Sequence, residues 1–224
     1  IQQVFRQLYT QIGFDGASSP PKLRQGDIIV NSWDTATKTG VNNNYTVGTV
    51  WLYRFNEYYL LSVTRGKIPY PVMREEVIAV AAGSNANWVL IEDTNLGSWL
   101  ADDLESNTKL SINRINPKGD KIYRMEACTA TIETGKISIP QEAPWLEEFL
   151  HECAGFPDSV THDDQVDSMS QFLNWARDFN AKTQSSNIIK NALDILVESD
   201  KPHDLNTTDG IKSFYLKNFN PEGR

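Results

Sequence analysis

Three runs of β-type residues follow one another between residues 27 and 65, and they restrict the folds open to the chain. Asp27 to Trp33 holds the apolar run Ile28-Ile29-Val30, while Tyr45 to Phe55 and Tyr58 to Arg65 are rich in aromatic and β-branched residues. The tight Asn56-Glu57 connection predicts a hairpin, so three antiparallel strands open the domain. After them, helix and strand patterns alternate. An amphipathic helix over Val72 to Ala82 is closed by Gly83, and a short apolar strand, Trp88 to Ile91, follows. Next come a helix around Trp99 to Ser106, a strand at Leu110 to Ile115, a basic helix from about Lys118 to Ile132, and a short strand at Ile137 to Ile139. Pro144 suits the first turn of a helix over Trp145 to Cys153. A last helix runs to about Ala181, with Val166, Met169, Leu173 and Ala176 as its core-facing stripe. The sum is an α/β fold, a mixed sheet of three antiparallel strands then parallel additions, flanked by helices.

The domain so defined covers residues 26–181. Residues 1–25 read as a lead-in and linker, with Ile1 to Tyr9 helix-compatible and Pro20-Pro21 suited to an inter-domain connection. Residues 182–224 read as a polar appendage, expected to be flexible, with one apolar helix-like patch at Ile188 to Val197. The start at Ile1 suggests a piece excised from something longer. No apolar run approaches the roughly 18 residues of a membrane helix, so a cytoplasmic protein without membrane contact is expected. Cys128 and Cys153 fall in helical segments without ligand-like neighbours, which points to small buried hydrophobes rather than a zinc site.

Acidic residues gather in three places. His162-Asp163-Asp164-Gln165-Val166-Asp167 opens the last helix, where Asp163 and Asp167 lie within about 40° of each other around the axis. Asp34 ends the first strand, and Glu92-Asp93 end the fourth. If strands one and four are parallel neighbours, these carboxylates meet at one sheet edge. Capping and the helix dipole explain an isolated cluster of this kind. Three converging stretches instead form the oxygen ligand set of Mg²⁺ or Mn²⁺, two of which together hydrolyse phosphodiesters. The net charge of −8 argues against nucleic acid, but it is uneven. Residues 141–180 carry nine acids and one base, whereas residues 109–136 carry six bases and three acids, a balance that suits a polyanion.

The motifs themselves are more specific. Ser32-Trp33-Asp34-Thr35-Ala36 with Lys38, Leu90-Ile91-Glu92-Asp93 with Gly97 and Leu100, Asp120-Lys121 with Arg124, Ala143-Pro144-Trp145-Leu146, and Phe156-Pro157 before His162 to Ser168 occur in this order. Over roughly Gly26 to Asn180 they resemble the C-terminal nuclease domain of tailed-phage terminase large subunits.

That resemblance implies a fold similar to RNase H and the RuvC Holliday-junction resolvase. It also implies a two-metal endonuclease cutting concatemeric phage DNA at the start and end of head filling, in the host cytoplasm. Asp34 matches the family's first acid, Glu92-Asp93 its second, and Asp163, Asp164 and Asp167 its third. Within the second group a RuvC-like pattern favours Glu92, though aspartate serves in other terminases. Within the third, helix geometry pairs Asp163 with Asp167, while the RuvC spacing favours Asp164 with Asp167 and leaves Asp163 as a cap. His162 either orients a water, contacts DNA or is structural. Lys38, Lys121 and Arg124 are the expected DNA contacts, and Trp33 and Trp145 are expected in the core. The implied partners are double-stranded DNA, an N-terminal ATPase domain, a small terminase subunit and a portal. The sequence lacks the Gly-x-x-x-x-Gly-Lys-Ser/Thr loop of such a motor, so as given it is not expected to hydrolyse ATP. Rival readings are a RuvC-like junction resolvase or recombinase, and a non-catalytic DNA- or portal-binding module with a structural cation.

Overall fold

The computed structural model describes residues 21–36, 45–117, 119–158 and 162–199. The helical lead-in, Lys38, most side chains of the Ile188 to Val197 patch and the tail beyond residue 199 lie outside the described residues.

The expected antiparallel opening consists of β1 (Ile28–Asp34), β2 (Thr46–Arg54) and β3 (Glu57–Gly66). The hairpin turn sits at Phe55-Asn56, one residue earlier than its composition suggests, and Arg54 pairs with Glu57. Both turn residues have positive φ, 45° and 67°, the backbone form that matches the twist of the flanking strands. β4 (Trp88–Glu92) pairs parallel with β1, and β5 (Ile112–Ile115) pairs parallel with β4. At the far edge β6 (Ile137–Ser138) runs parallel to β3, giving the order β5-β4-β1-β2-β3-β6.

Helices cover both faces. On one side α1 (Tyr70–Ser84) and α2 (Asn95–Asn107) bury Met73, Val77, Leu100 and Leu104 against Trp33, Val89 and Ile91. On the other lie α3 (Lys121–Glu133), α4 (Leu146–Gly155) and the start of α5 (Asp164–Ser199), packed on Val30, Trp51, Leu60 and Leu90. Each fully buried side chain of this size contributes about 1.5–3 kcal/mol, and the Trp51 ring stacks on Phe172 at 4.6 Å. Both cysteines are buried in helices, as expected. Trp33 is fully buried, and Trp145 packs against the core from its margin.

Two helix ends differ from the sequence reading. Gly83 lies inside α1, and the left-handed residue that ends it is Asn85, with φ 52° and ψ 50°, a conformation asparagine tolerates. α3 begins at Lys121 because the Asp120 carboxylate accepts the Tyr123 N–H at 2.8 Å.

The chain divides into two compact units, residues 1–178 and 179–224. In the first, the expected stripe of Val166, Met169, Leu173 and Ala176 is buried. In the second, the described part is helical to Ser199, beyond the expected end near Ala181. There the Thr183, Ser185 and Ser186 hydroxyls donate to carbonyls four residues earlier, which satisfies them without breaking the helix. Among the described residues no helix is long and apolar enough to cross a membrane.

Candidate active site

Strand alternation decides where the first two acids point. Along β1, Val30 packs on the α5 side and Ser32 bonds to α5, while Asn31 bonds to Ser84 of α1 and Trp33 packs under α1 and α2. Asp34 has the parity of Val30 and Ser32, so it faces α5. Along β4, Leu90 faces α5 and Val89 and Ile91 face away, so Glu92 shares the face of Asp34. Trp33 and Ile91 are register partners in the parallel pair, which brings Asp34 and Glu92 side by side at the strand ends. Asp93 points elsewhere: its carboxylate lies 3.8 Å from Arg114, and its N–H donates to Ile115 at the β5 edge. A close approach fixes this strand end, since a Cβ on Gly97 would lie 2.1 Å from the Glu92 carbonyl oxygen.

The third acidic group is pinned by a buried polar clamp. The Ser32 hydroxyl donates to the Ser168 carbonyl and the Ser168 hydroxyl to the Ser32 carbonyl, both at 2.8 Å. With its one hydrogen so placed, Ser168 accepts from Thr49, which in turn accepts the Trp51 indole N–H, each at 2.8 Å. Gln171 adds a bond to Ser32 at 2.9 Å. Every group in the clamp is satisfied, so it fixes α5 rigidly on β1 and sets its first turn opposite Asp34.

Asp164 is buried, and its Oδ2 accepts the Tyr45 N–H at 3.0 Å. Asp167 is also buried and takes Lys121 at 2.6 Å and Arg124 at 2.9 Å. Asp163 does not serve as the helix cap, because its carboxylate goes to Lys121 at 2.6 Å. The cap is Glu152 of α4, whose Oε1 accepts the N–H groups of Gln165 and Val166. His162 stands edge-on to Tyr45 at 5.0 Å between ring centroids, with Nδ1 3.8 Å from Asp164. Lys121 and Arg124, expected on phosphates, are thus bonded to acids here. Arg114 of the same basic segment is held by Asp102 and Glu105, each at 2.6 Å.

The acids of the site act on one another electrostatically. Burial, then repulsion from Asp167, Glu92 and Asp164, holds the Asp34 carboxyl well above the usual carboxylate range. Burial also raises Asp164, against the pull of the Tyr45 N–H. For Lys121, partial burial opposes the charge, but its bonds to Asp163 and Asp167 outweigh that and raise its pKa. Burial pushes the Cys128 thiol up to about 12, which leaves it unreactive. Among the described residues no three Asp, Glu, His or Cys side chains converge closely enough to hold a metal ion as they stand. Asp163 and Asp167 are instead bonded to Lys121 and Arg124 of α3, and Asp164 to the Tyr45 N–H.

The family model of the terminase RNaseH-like domain matches residues 31–175. The chain belongs to this family. Among solved structures it is similar to the large terminase nuclease of thermophilic phage G20c with bound magnesium, at 16% identity and a TM-score of 0.57, covering 76% of this chain and 96% of that one. The Thermus phage P74-26 large terminase nuclease domain aligns at 15% identity and a TM-score of 0.54, over 75% and 92%. The large terminase of another thermophilic bacteriophage, solved in complex with ATP-γ-S, aligns at 14% and 0.54, and there the match spans only 44% of the longer chain. No curated protein sequence matches. The mixed sheet flanked by helices is the RNase H-like fold of these terminase nucleases.

Several contacts of the terminase domain escape its sequence. Glu152, the Ser32–Ser168 clamp and the stacking of Arg65 over Tyr45 at 3.4 Å all join distant segments. Ser32 and Ser168 do flank two family motifs, the one signal that marks them.

Proposed function

We propose that this terminase domain is a divalent-metal-dependent endonuclease that cuts concatemeric double-stranded DNA during genome packaging. The observation that carries the reading is the crowding on Asp34: it sits beside Glu92 at adjacent parallel strand ends and is repelled by Asp167, Glu92 and Asp164. A hard cation relieves such crowding, and an all-oxygen donor set suits Mg²⁺ or Mn²⁺. Asp34, Glu92, Asp164 and Asp167 would hold the ions, two by the family resemblance, with Asp93 and Asp163 outside the set. The G20c nuclease has been solved with zinc, magnesium and cobalt, which supports a divalent site.

When bound, such ions supply Lewis acidity toward a phosphodiester and an ionised water at neutral pH. The chain contributes the rest. β1 and β4 hold Asp34 and Glu92 rigidly, and the serine clamp holds Asp164 and Asp167 opposite them. Lys121 and Arg124 carry donors to the same edge, within reach of phosphate oxygens. His162, at the rim beside Asp164, offers a ring nitrogen to a water or a phosphate. Lys38 is proposed as a further DNA contact. The related large terminase solved with ATP-γ-S supports a setting in which this domain works beside an ATPase; a small terminase subunit and a portal, in the host cytoplasm, are proposed as its further partners.

Incubation with supercoiled plasmid and Mn²⁺ should yield nicked and linear DNA, and Asp34→Ala should abolish both products. Undiminished cutting by that variant would overturn the assignment, and DNA binding without any cleavage would favour a non-catalytic module.

A further inference from the structure

The ammonium of Lys121 occupies an unusual position. It lies 2.6 Å from Asp163 Oδ1 and 2.6 Å from Asp167 Oδ2, bridging two carboxylates four residues apart on α5. Asp167 binds Arg124 through its other oxygen. We infer that Lys121 is a tethered counter-ion that holds the third acidic group closed and is displaced when a divalent cation enters; the inference rests on the metal-dependent reading above.

Three features make it suited to leave as well as to stay. A lysine ammonium is a compact point charge on a flexible four-carbon stem, unlike the planar fork of Arg124. Lys121 is the first residue of α3, so no preceding turn of that helix confines its side chain. The side chain is 42% exposed, against 8% for Asp167, so it has an open route to solvent while its partner stays fixed. An ammonium and a divalent ion compete for the Asp167 oxygens, because like charges at contact distance repel and Asp167 itself is only 8% exposed. Displacement would free Asp167 for the ion and send the ammonium toward the substrate phosphate. The device keeps the acids from pushing the helix end apart, at the cost of weaker ion binding.

The test is calorimetric titration of the full chain with Mn²⁺ alone. Lys121→Met should bind the ion roughly tenfold more tightly than the wild type. Lys109→Met, which removes the same charge at an exposed position outside the site, should stay within about twofold. Without added metal Lys121→Met should melt at a lower temperature, and Mn²⁺ should restore it. Equal or weaker binding by Lys121→Met overturns the inference while leaving the metal site itself standing. Failure of the wild type and the variant alike to bind Mn²⁺ overturns both. A measurement on the unmutated chain guards against a folding defect: with lysines ¹³C-methylated, the Lys121 signal should shift on adding Mg²⁺. An unshifted signal at saturating Mg²⁺ also overturns the inference.

Discussion

Glu152 of α4 caps α5 across the sequence: its Oε1 accepts the Gln165 N–H at 2.6 Å, while its Oε2 accepts the Gln165 side-chain amide at 2.7 Å. The site's third acidic group therefore depends on a carboxylate outside its own helix. Burial is the main influence on this carboxyl and raises it to about 7, against the pull of its bonds to Gln165 and Val166 and of Arg65. Because the folded pKa lies above the unfolded one, the folded state binds the extra proton. This contribution to stability is complete below about pH 4.5 and is lost as pH rises through about 7. A displacement of that size amounts to at most about 3 kcal/mol. Glu152→Gln keeps one acceptor for the backbone N–H groups, and Gln165 can turn its amide to match. Denaturation midpoints at pH 5 and pH 8 should differ less in the variant than in the wild type.

How far the site could be read from residues follows from the range of the forces involved. Asp34 and Glu92 were legible as strand ends because the two-residue strand period is a local pattern, whereas the parallel pairing of β1 with β4 joins distant segments and stood in the sequence only as a condition that the structure meets. The α5 stripe was legible because its helical period is local too. Glu152 was not, since nothing in its own segment marks it as the cap of a helix 13 residues on. Nor was the bridge from Lys121 to Asp163, whose partners are 42 residues apart and meet through tertiary packing alone. Helix periodicity placed Asp163 and Asp167 on one flank correctly, but a flank does not say which cation faces it.

The β4 end should be intolerant of a methyl group at Gly97. Its Cβ would meet a backbone oxygen, Glu92 O at 2.1 Å, which cannot swing aside as a side chain does. Gly97→Ala should cost about 1–3 kcal/mol in denaturant titration and reduce plasmid cutting by displacing Glu92. Gly83→Ala is the contrasting case, a helix-interior position with nothing within 4 Å of the added carbon. It should stabilise the protein by about 0.5–1 kcal/mol and leave cutting unchanged.

Removing the Ser168 hydroxyl should weaken the clamp between α5 and β1. Ser168→Ala leaves the Thr49 hydroxyl and the Ser32 carbonyl short of a partner in a buried setting, a loss of about 1–3 kcal/mol. Pairing it with Thr49→Val removes one orphaned group, so the double variant should be less destabilised than the two single losses added together. Urea midpoints of the four proteins check this coupling.

The two members of the second acidic group should separate cleanly. Glu92 shares the face of Asp34 and contributes to the repulsion on it, whereas Asp93 turns toward Arg114. Glu92→Gln should abolish Mn²⁺-dependent cutting, and Asp93→Asn should keep it within a few-fold of the wild type. The reverse pattern in a plasmid assay would reassign the second ligand to Asp93.

Asp34 should be costly to stability as well as necessary for cutting. Its carboxyl is held well above the usual range, chiefly by burial and then by Asp167, Glu92 and Asp164. A raised folded pKa means that stability is lost as pH climbs above the unfolded value, so at neutral pH this buried carboxyl opposes folding. Asp34→Asn keeps the shape and removes the charge. Relief on the order of 1 kcal/mol would raise the melting midpoint of a domain this size by about 2–4 °C. The gain should be largest in chelator, because an ion bound by the wild type neutralises the same repulsion. Thermal melting at pH 7.5 with EDTA and then with Mg²⁺ checks both parts: the variant should melt higher in EDTA, and added Mg²⁺ should narrow the gap by stabilising the wild type alone.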